Sequence, residues 1–346
     1  MNLAKLQLTN FRSYDEREFV FDQDVTVLVG KNGAGKTNVL EAVYMLFQGK
    51  SFRDGDEQLV RHGETWWKLG ADVNGVVREL RYQPAATVRK QLLVDAASKG
   101  RFTYRHQLPV VLFEPDDLLM LHGSPLRRRR YLDTLLVATQ PEYRHTLAKY
   151  DRALLQRNNI LKKAQKRRME AETLRDDMFV WDVALAEHGA RIMQQREQLL
   201  QLLQLGLAEE YSRLAGSETA VHIRYEPSVS HASKLAGGLH ASLEKDIARG
   251  FTGVGPHRDD IAFDLQGVLA AQTASRGEVR SIILALKSRE IALLRDTYGL
   301  PPLYLLDDVF SELDPDRQKA VLHNTDNVQK IITTTHGVSS YHQIKL

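Results

Sequence analysis

The chain has 346 residues, 43% hydrophobic and 26% charged, with a formal net charge of +3. That length exceeds one simple core and predicts two lobes. There is no cysteine, which excludes disulfides, thiolate metal sites and cysteine nucleophiles, and no run of about 18 apolar residues, which excludes an apolar membrane-spanning helix.

Taken in chain order, Leu3–Leu8 alternates as a strand does, without a signal-peptide apolar core, and Glu18–Phe21 alternates too. The β-branched run Val25–Val29 then leads into Gly30-Lys-Asn-Gly-Ala-Gly-Lys-Thr37. A helical pattern follows at Val39, Leu40, Ala42, Val43 and Leu46. The loop fits GxxxxGK(S/T) in the strand–loop–helix setting that a phosphate-binding loop requires. Its glycines let backbone N–H groups turn toward phosphate oxygens. Residues Gly30, Lys31, Asn32, Gly33, Ala34, Gly35, Lys36, Thr37 and Asn38 are therefore the expected nucleotide cradle. Lys36 reaches the β/γ-phosphates and the Thr37 hydroxyl ligates Mg²⁺. Strands are predicted at Trp67–Val73, Val76–Tyr82 and Gln91–Val94, with Asn74-Gly75 as a hairpin turn.

From Leu126 onward the period becomes helical. Leu147, Tyr150, Leu154 and Leu161 recur at helix spacing, followed by Phe179, Val183, Ala186, Ala190, Met193, Leu200, Leu207, Tyr211 and Leu214. This predicts a paired or coiled helical arm. Between Arg144 and Arg168 there are nine Lys/Arg and one acid, Asp151. Lys149, Arg152, Lys162, Lys163, Lys166 and Arg167 form a basic helix face, readable as a sequence-independent DNA-phosphate surface or as an ordinary solvated face. The four arginines Arg127–Arg130 fan around a helix, so DNA, an acidic partner and internal ion pairs are all open to them. Later come a strand at Ala220–Tyr225, a polar loop at Ser230–Gly238, a turn and strand at Gly253–Asp264, and a helix at Gly277–Arg295.

A second nucleotide motif lies near the far end. Leu303-Tyr-Leu-Leu-Asp-Asp308 is an apolar strand ending in two acids, the Walker B pattern. Asp307 is the expected Mg²⁺ ligand and Asp308 the general base that polarises the attacking water. The Ser-Glu-Leu-Asp element, Ser311 to Asp314, follows as a D-loop does. Upstream, Ala274-Ser-Arg-Gly-Glu278 stands in the place of an LSGGQ signature, matching at Ser275 and Gly277 and departing at Ala274, Arg276 and Glu278. Ser275 with Glu278 also reads as a helix capping box, and the two readings are compatible. His336, after the strand Ile331–Thr335, is either a γ-phosphate sensor or a solvent-facing turn residue.

These motifs, in this order, resemble the ABC/SMC-type ATPases and, within them, the RecF family. Four stretches carry the likeness further: Leu6–Tyr14, Val111–Asp133, the Thr252–Asp260 segment with its Gly-Pro-His-Arg-Asp-Asp run, and Leu306–Asp314. The resemblance implies an α/β, SMC-head-like P-loop ATPase lobe over residues 1–108 and 254–346, and a mostly helical second lobe with a short arm over 109–253. It implies ATP and Mg²⁺ as cofactors, with weak DNA-stimulated hydrolysis and ATP-dependent homodimerisation in which Ser275 and Gly277 face the nucleotide of the other subunit. It further implies duplex DNA near single-strand gaps as the target, RecR and RecO as partners in loading the recombinase RecA, and a cytoplasmic, nucleoid-associated location. Gln107 is the candidate for the glutamine that links Mg²⁺ to the second lobe. The alternative, the ATPase subunit of an ABC transporter, predicts a full LSGGQ and a glutamate after Walker B. A structural SMC protein needs a far longer coiled coil, and a P-loop kinase leaves the Ser-Glu-Leu-Asp element unexplained.

Overall fold

The computed structural model describes residues 1–313, 315–323, 327–336 and 341–346; Asp314 of the D-loop element lies outside them. In chain order the strands and helices begin with Leu3–Phe11 (β1), Tyr14–Val20 (β2), Val25–Val29 (β3), Lys36–Gln48 (α1), Trp67–Val73 (β4), Val76–Tyr82 (β5), Lys90–Val94 (β6), Ala97–Gly100 (β7) and Val110–Phe113 (β8). A mostly helical stretch follows: Leu119–His122 (α2), Pro125–Thr139 (α3), Tyr143–Arg167 (α4), Arg175–Gln204 (α5), Leu207–Ala215 (α6), Val221–Glu226 (β9), Leu235–Ala241 (α7), Leu243–Arg249 (α8), Asp260–Leu265 (β10), Val268–Leu269 (β11) and Ala270–Thr273 (α9). Arg276–Tyr298 (α10), Leu303–Leu306 (β12), Pro315–His323 (α11), Lys330–Thr334 (β13) and His342–Lys345 (β14) complete it.

Two compact units result. The first comprises 1–118, 213–215 and 283–346, the second 119–212 and 216–282. The expected boundaries at 109 and 254 are therefore displaced. β8 pairs in parallel with β12 (Val110↔Leu303 to Phe113↔Leu306), which ties it to the Walker B strand. β10 pairs with β9 (Asp260↔Glu226 to Leu265↔Val221), which keeps it with the helices. The second division falls inside α10.

In the first unit a parallel sheet of order β14-β3-β13-β12-β8 and an antiparallel sheet of order β2-β1-β4-β5-β6-β7 share one core. The helix α1 contacts β4 and β5 on one side and β8 and β13 on the other. Accordingly Val39, Leu40, Ala42, Val43, Met45, Leu46 and Phe47 are all buried, and α1 is apolar around most of its circumference. The Asn74-Gly75 hairpin forms as expected, with φ of 55° and 79° at the two positions, the backbone sign that a two-residue primed turn demands.

In the second unit α4 and α5 pack along each other. The expected apolar stripe of the paired or coiled arm is corrected at its start: Phe179 and Val183 are 67% and 50% exposed, while Met178, Leu185, Ile192, Leu199 and Leu203 are buried. The register moves because α5 must bury a face against α4 and also against α3, α7 and β9, so its inward stripe is not that of a two-helix seam. The expected polar loop at Ser230–Gly238 instead enters α7, whose Leu235 and Leu239 are buried. The arginine run divides by the helical period. Arg128 donates to both oxygens of Asp260 (2.6 and 2.8 Å) and to the carbonyls of Met120 and Gly123, while Arg129 donates to the Asp259 carbonyl. These two are internal braces.

Candidate nucleotide site

The phosphate loop joins the C-terminal end of β3 to α1, at the edge of a parallel sheet where ligands bind by topology. Gly35 caps α1 at φ 91°, and a Cβ there would approach the Tyr14 hydroxyl to 2.8 Å. The Tyr14 hydroxyl donates to the Gly35 carbonyl at 3.3 Å. No side chain caps α1 and no acid sits in its first turn. Its N-terminal N–H groups and positive dipole end are thus left for an anion. Lys36 Nζ donates to the Gly30 and Lys31 carbonyls at 2.7 and 3.0 Å, holding the ammonium across the loop. Lys31, Asn32 and Gly33 form the exposed rim, and Ala34 is partly buried. Asn38 reaches back to Ser13 Oγ at 3.2 Å.

The two Walker motifs meet. Thr37 Oγ1 lies 3.0 and 2.9 Å from the two carboxylate oxygens of Asp307. Between their strands runs β13, whose Thr333 was not singled out by the sequence. Its hydroxyl donates to Asp307 at 2.7 Å and accepts the Asp308 N–H at 2.8 Å. One threonine therefore fixes both acids. Asp308 itself adopts the left-handed conformation, φ 47°, which short polar side chains tolerate. The Thr37 hydroxyl and Asp307 carboxylate form a hard-oxygen pair suited to Mg²⁺, a cation that takes one or two protein oxygens and completes its shell with phosphates and water. Among the described residues no cluster of three or more His, Asp or Glu is placed to hold a metal alone.

Three other acids shape the site's surroundings. Glu41 on α1 is fully buried; Arg12 grips it through two 2.8 Å bonds, Arg53 at 2.7 Å and Ser51 at 2.5 Å. Burial pushes the carboxyl up, but the Arg12, Arg53 and Ser51 hydrogen bonds outweigh it and hold the group below the usual range. Its contribution is present above the ordinary glutamate pKa and is lost as pH falls through the lower folded value. Glu41→Gln is expected to cost about 3 kcal/mol, because it leaves two guanidiniums without their buried partner; urea unfolding at neutral pH measures this, and the deficit should shrink in acid. Glu114 ends β8 beside Asp307. Burial pushes it up to about 7, with Asp117 adding and Lys287 opposing. Asp117 in turn pairs with the buried Lys287 of α10 at 3.3 Å. Gln107 is corrected as the linking glutamine: it precedes β8, at the opposite end of the sheet from Thr37, and donates to the Gln48 carbonyl at 3.4 Å.

Ser275 is exposed just before α10, with Gly277 partly buried. Glu278 accepts the Ser275 N–H at 2.7 Å and donates its own N–H to Ser275 Oγ at 3.3 Å, so the capping box is formed. The carboxylate thus turns back onto the helix end. His336 is exposed beyond β13, with its N–H donated to Thr334 Oγ1 at 3.2 Å. On α4, Lys149, Arg152, Lys162, Lys163, Lys166 and Arg167 are all exposed. At 100° per residue they span an arc of roughly 140°. Among the described residues none of the six makes an ion pair.

A family model for the RecF/RecN/SMC N-terminal domain matches residues 2–343. The chain is 36% identical over 348 residues to the DNA replication and repair protein RecF of Geobacillus thermodenitrificans, covering 97% of this chain and 93% of that one. It is also 36% identical over 364 residues to the RecF of Trichodesmium erythraeum, with the same coverages. The chain belongs to the RecF family. Its fold agrees: a solved structure of the recombination mediator protein RecF-ATPrS in the RecFOR pathway superposes with a TM-score of 0.87 at 29% identity, covering 99% of this chain and 95% of that one. An Smc head bound to the C-winged helix domain of ScpA matches at 0.55 and 14% identity, over 97% and 90%, a likeness of fold alone. The RecF-type reading of Leu6–Tyr14, Val111–Asp133, Thr252–Asp260 and Leu306–Asp314 thus identified the family, and the ABC-transporter alternative finds no support in these relatives.

Proposed function

We propose that this RecF-family chain is an ATP-driven DNA clamp. The observation that carries the reading is the meeting of Thr37 and Asp307 beside an uncapped helix N-terminus and a loop-spanning Lys36. That arrangement suits a nucleoside triphosphate with Mg²⁺. Relatives solved with ATP and with ATPrS support it. The phosphate loop binds and orients the triphosphate, Lys36 offsets charge on its outer phosphates, and Asp308 accepts the proton of the attacking water. Mg²⁺, when bound, neutralises charge developing between the outer phosphates. Exposed Ser275 and half-buried Gly277 face the nucleotide of a second copy, so ATP binding favours a homodimer, and His336 senses the γ-phosphate. The α4 cations hold duplex DNA by its backbone near single-strand gaps, without reading sequence. DNA accelerates an otherwise slow hydrolysis. RecR and RecO, implied by the RecFOR pathway of the solved relative, are the partners through which the clamp loads RecA in the cytoplasm.

The test replaces Lys162, Lys163, Lys166 and Arg167 by Glu. Duplex affinity is expected to fall for every sequence, with the log–log salt slope reduced by about 0.9 for each lost phosphate contact. ATP affinity without DNA stays unchanged, and stimulation of hydrolysis by DNA falls. A parental salt slope in the quadruple variant would return α4 to an ordinary solvated face.

A further inference from the structure

β13 ends between the two Walker strands, and its last residues bond to both sides. Ile332 stands opposite Leu306 of β12, so Thr333 comes level with Asp307. On the other side Thr334 stands opposite Val29 of β3, and its carbonyl accepts the Gly30 N–H at 3.2 Å. Gly30 opens the phosphate loop. One strand end therefore registers that loop against the Walker B acids.

Thr333 is fully buried, and its hydroxyl is used in both directions. A backbone N–H can only donate. The 2.8 Å bond from Asp308 thus occupies a lone pair of Oγ1 and leaves the single hydroxyl hydrogen for Asp307, 2.7 Å away. The order N–H, hydroxyl, carboxylate is a chain in which each bond polarises the next. Among the described residues one other side chain, Thr37, donates to the Asp307 carboxylate, and Thr37 is itself an expected cation ligand. Thr333 instead has both bonds committed within a strand paired on both sides, and β-branching restricts its χ1. Asp308 has φ 47°, a left-handed conformation that persists in a non-glycine residue only where its surroundings enforce it. The bond from its N–H to Thr333 is part of that enforcement, and it fixes where the Asp308 side chain leaves the backbone.

We propose that Thr333 is a positioning residue for ATP hydrolysis, setting the Asp307 carboxylate for the cation and the Asp308 backbone for the attacking water through one hydroxyl. The inference rests on the reading of this site as an ATP and Mg²⁺ site. It adds a residue that belongs to neither Walker motif and touches neither nucleotide nor metal.

The test compares Thr333→Val, close in volume but without the hydroxyl, with Thr333→Ser, which keeps it. Ile331→Val is the control: it thins a fully buried position of the same strand and removes no hydrogen bond. Three quantities are read: single-turnover ATP hydrolysis, affinity for a fluorescent ATP analogue across a Mg²⁺ series, and the melting temperature without nucleotide. Thr333→Val is expected to hydrolyse about 10–100-fold more slowly, the usual consequence of removing a partner that orients a metal ligand. Its Mg²⁺ midpoint rises, while analogue affinity at saturating Mg²⁺ stays parental. Thr333→Ser recovers most of the rate and the parental midpoint. Ile331→Val lowers the melting temperature and moves neither. If Thr333→Val melts too low to be read, Thr333→Cys, whose thiol is a weak donor, replaces it and is expected to fall between Ser and Val. A parental rate and midpoint in the Val or Cys variant, while Asp308→Asn slows hydrolysis, overturns the Thr333 assignment and leaves the ATP site standing. An equal loss of rate in Ile331→Val overturns it in favour of strand stability alone. A parent that binds no ATP analogue overturns both readings.

Discussion

Lys36→Met is expected to weaken ATP binding by at least about 30-fold, the lower end of roughly 2–5 kcal/mol for truncating a buried, hydrogen-bonded charge against its partner. Lys36 is only 8% exposed and its ammonium is already held over the loop by the Gly30 and Lys31 carbonyls. A triphosphate entering the cradle meets that charge in place, and methionine leaves the outer phosphates uncompensated with nearly the same stem volume. Calorimetric titration with ATP and sedimentation with and without nucleotide measure the result: binding and ATP-dependent dimerisation are lost together, while the melting temperature without nucleotide stays near the parental value. A variant that dimerises normally with ATP contradicts the role given to Lys36.

Asp308→Asn has the second large effect, and on a different quantity. Binding and dimerisation are expected to persist while single-turnover hydrolysis slows by about 10²–10⁴, the usual consequence of removing a general base. The geometry makes this substitution informative. The Asp308 backbone is left-handed and anchored through its N–H to Thr333, and asparagine accepts that conformation as readily as aspartate. The amide therefore keeps the shape and loses only the proton acceptor. Asp307, the partner of Thr37, is untouched, so affinity is preserved. Hydrolysis at the parental single-turnover rate would remove Asp308 from the role of base.

The two experiments separate binding, at Lys36, from chemistry, at Asp308. Gly30 to Thr37 could be read directly because a phosphate loop is a local object: glycine spacing, a strand before and a helix after all lie within one short segment. Leu303–Asp308 was legible for the same reason, as were the capping pair Ser275 and Glu278 and the turn at Asn74-Gly75, each set by hydrogen bonds or dihedral angles between near neighbours in sequence. The six α4 cations were legible as a face because helical periodicity alone determines which residues share a side.

Tertiary structure decided what depends on distant partners. Thr333 looks like one threonine among three until β13 is inserted between β3 and β12, and only then does its hydroxyl reach both acids. Val110–Phe113 is too short and too uniformly apolar to declare itself; its parallel pairing with β12 makes it a core strand and sends Gln107 to the wrong end of the sheet. Glu41 reads as an ordinary polar position in a helix, yet packing between two sheets buries it and brings Arg12 and Arg53 onto it. Phe179 and Val183 fit the helix-spaced apolar pattern and still face solvent, because α5 answers to several neighbours at once. The sequence thus determined the elements and motifs whose energies are local. Burial, strand order and the pairing of remote charges arise from the whole core together, and they decided which of those residues meet.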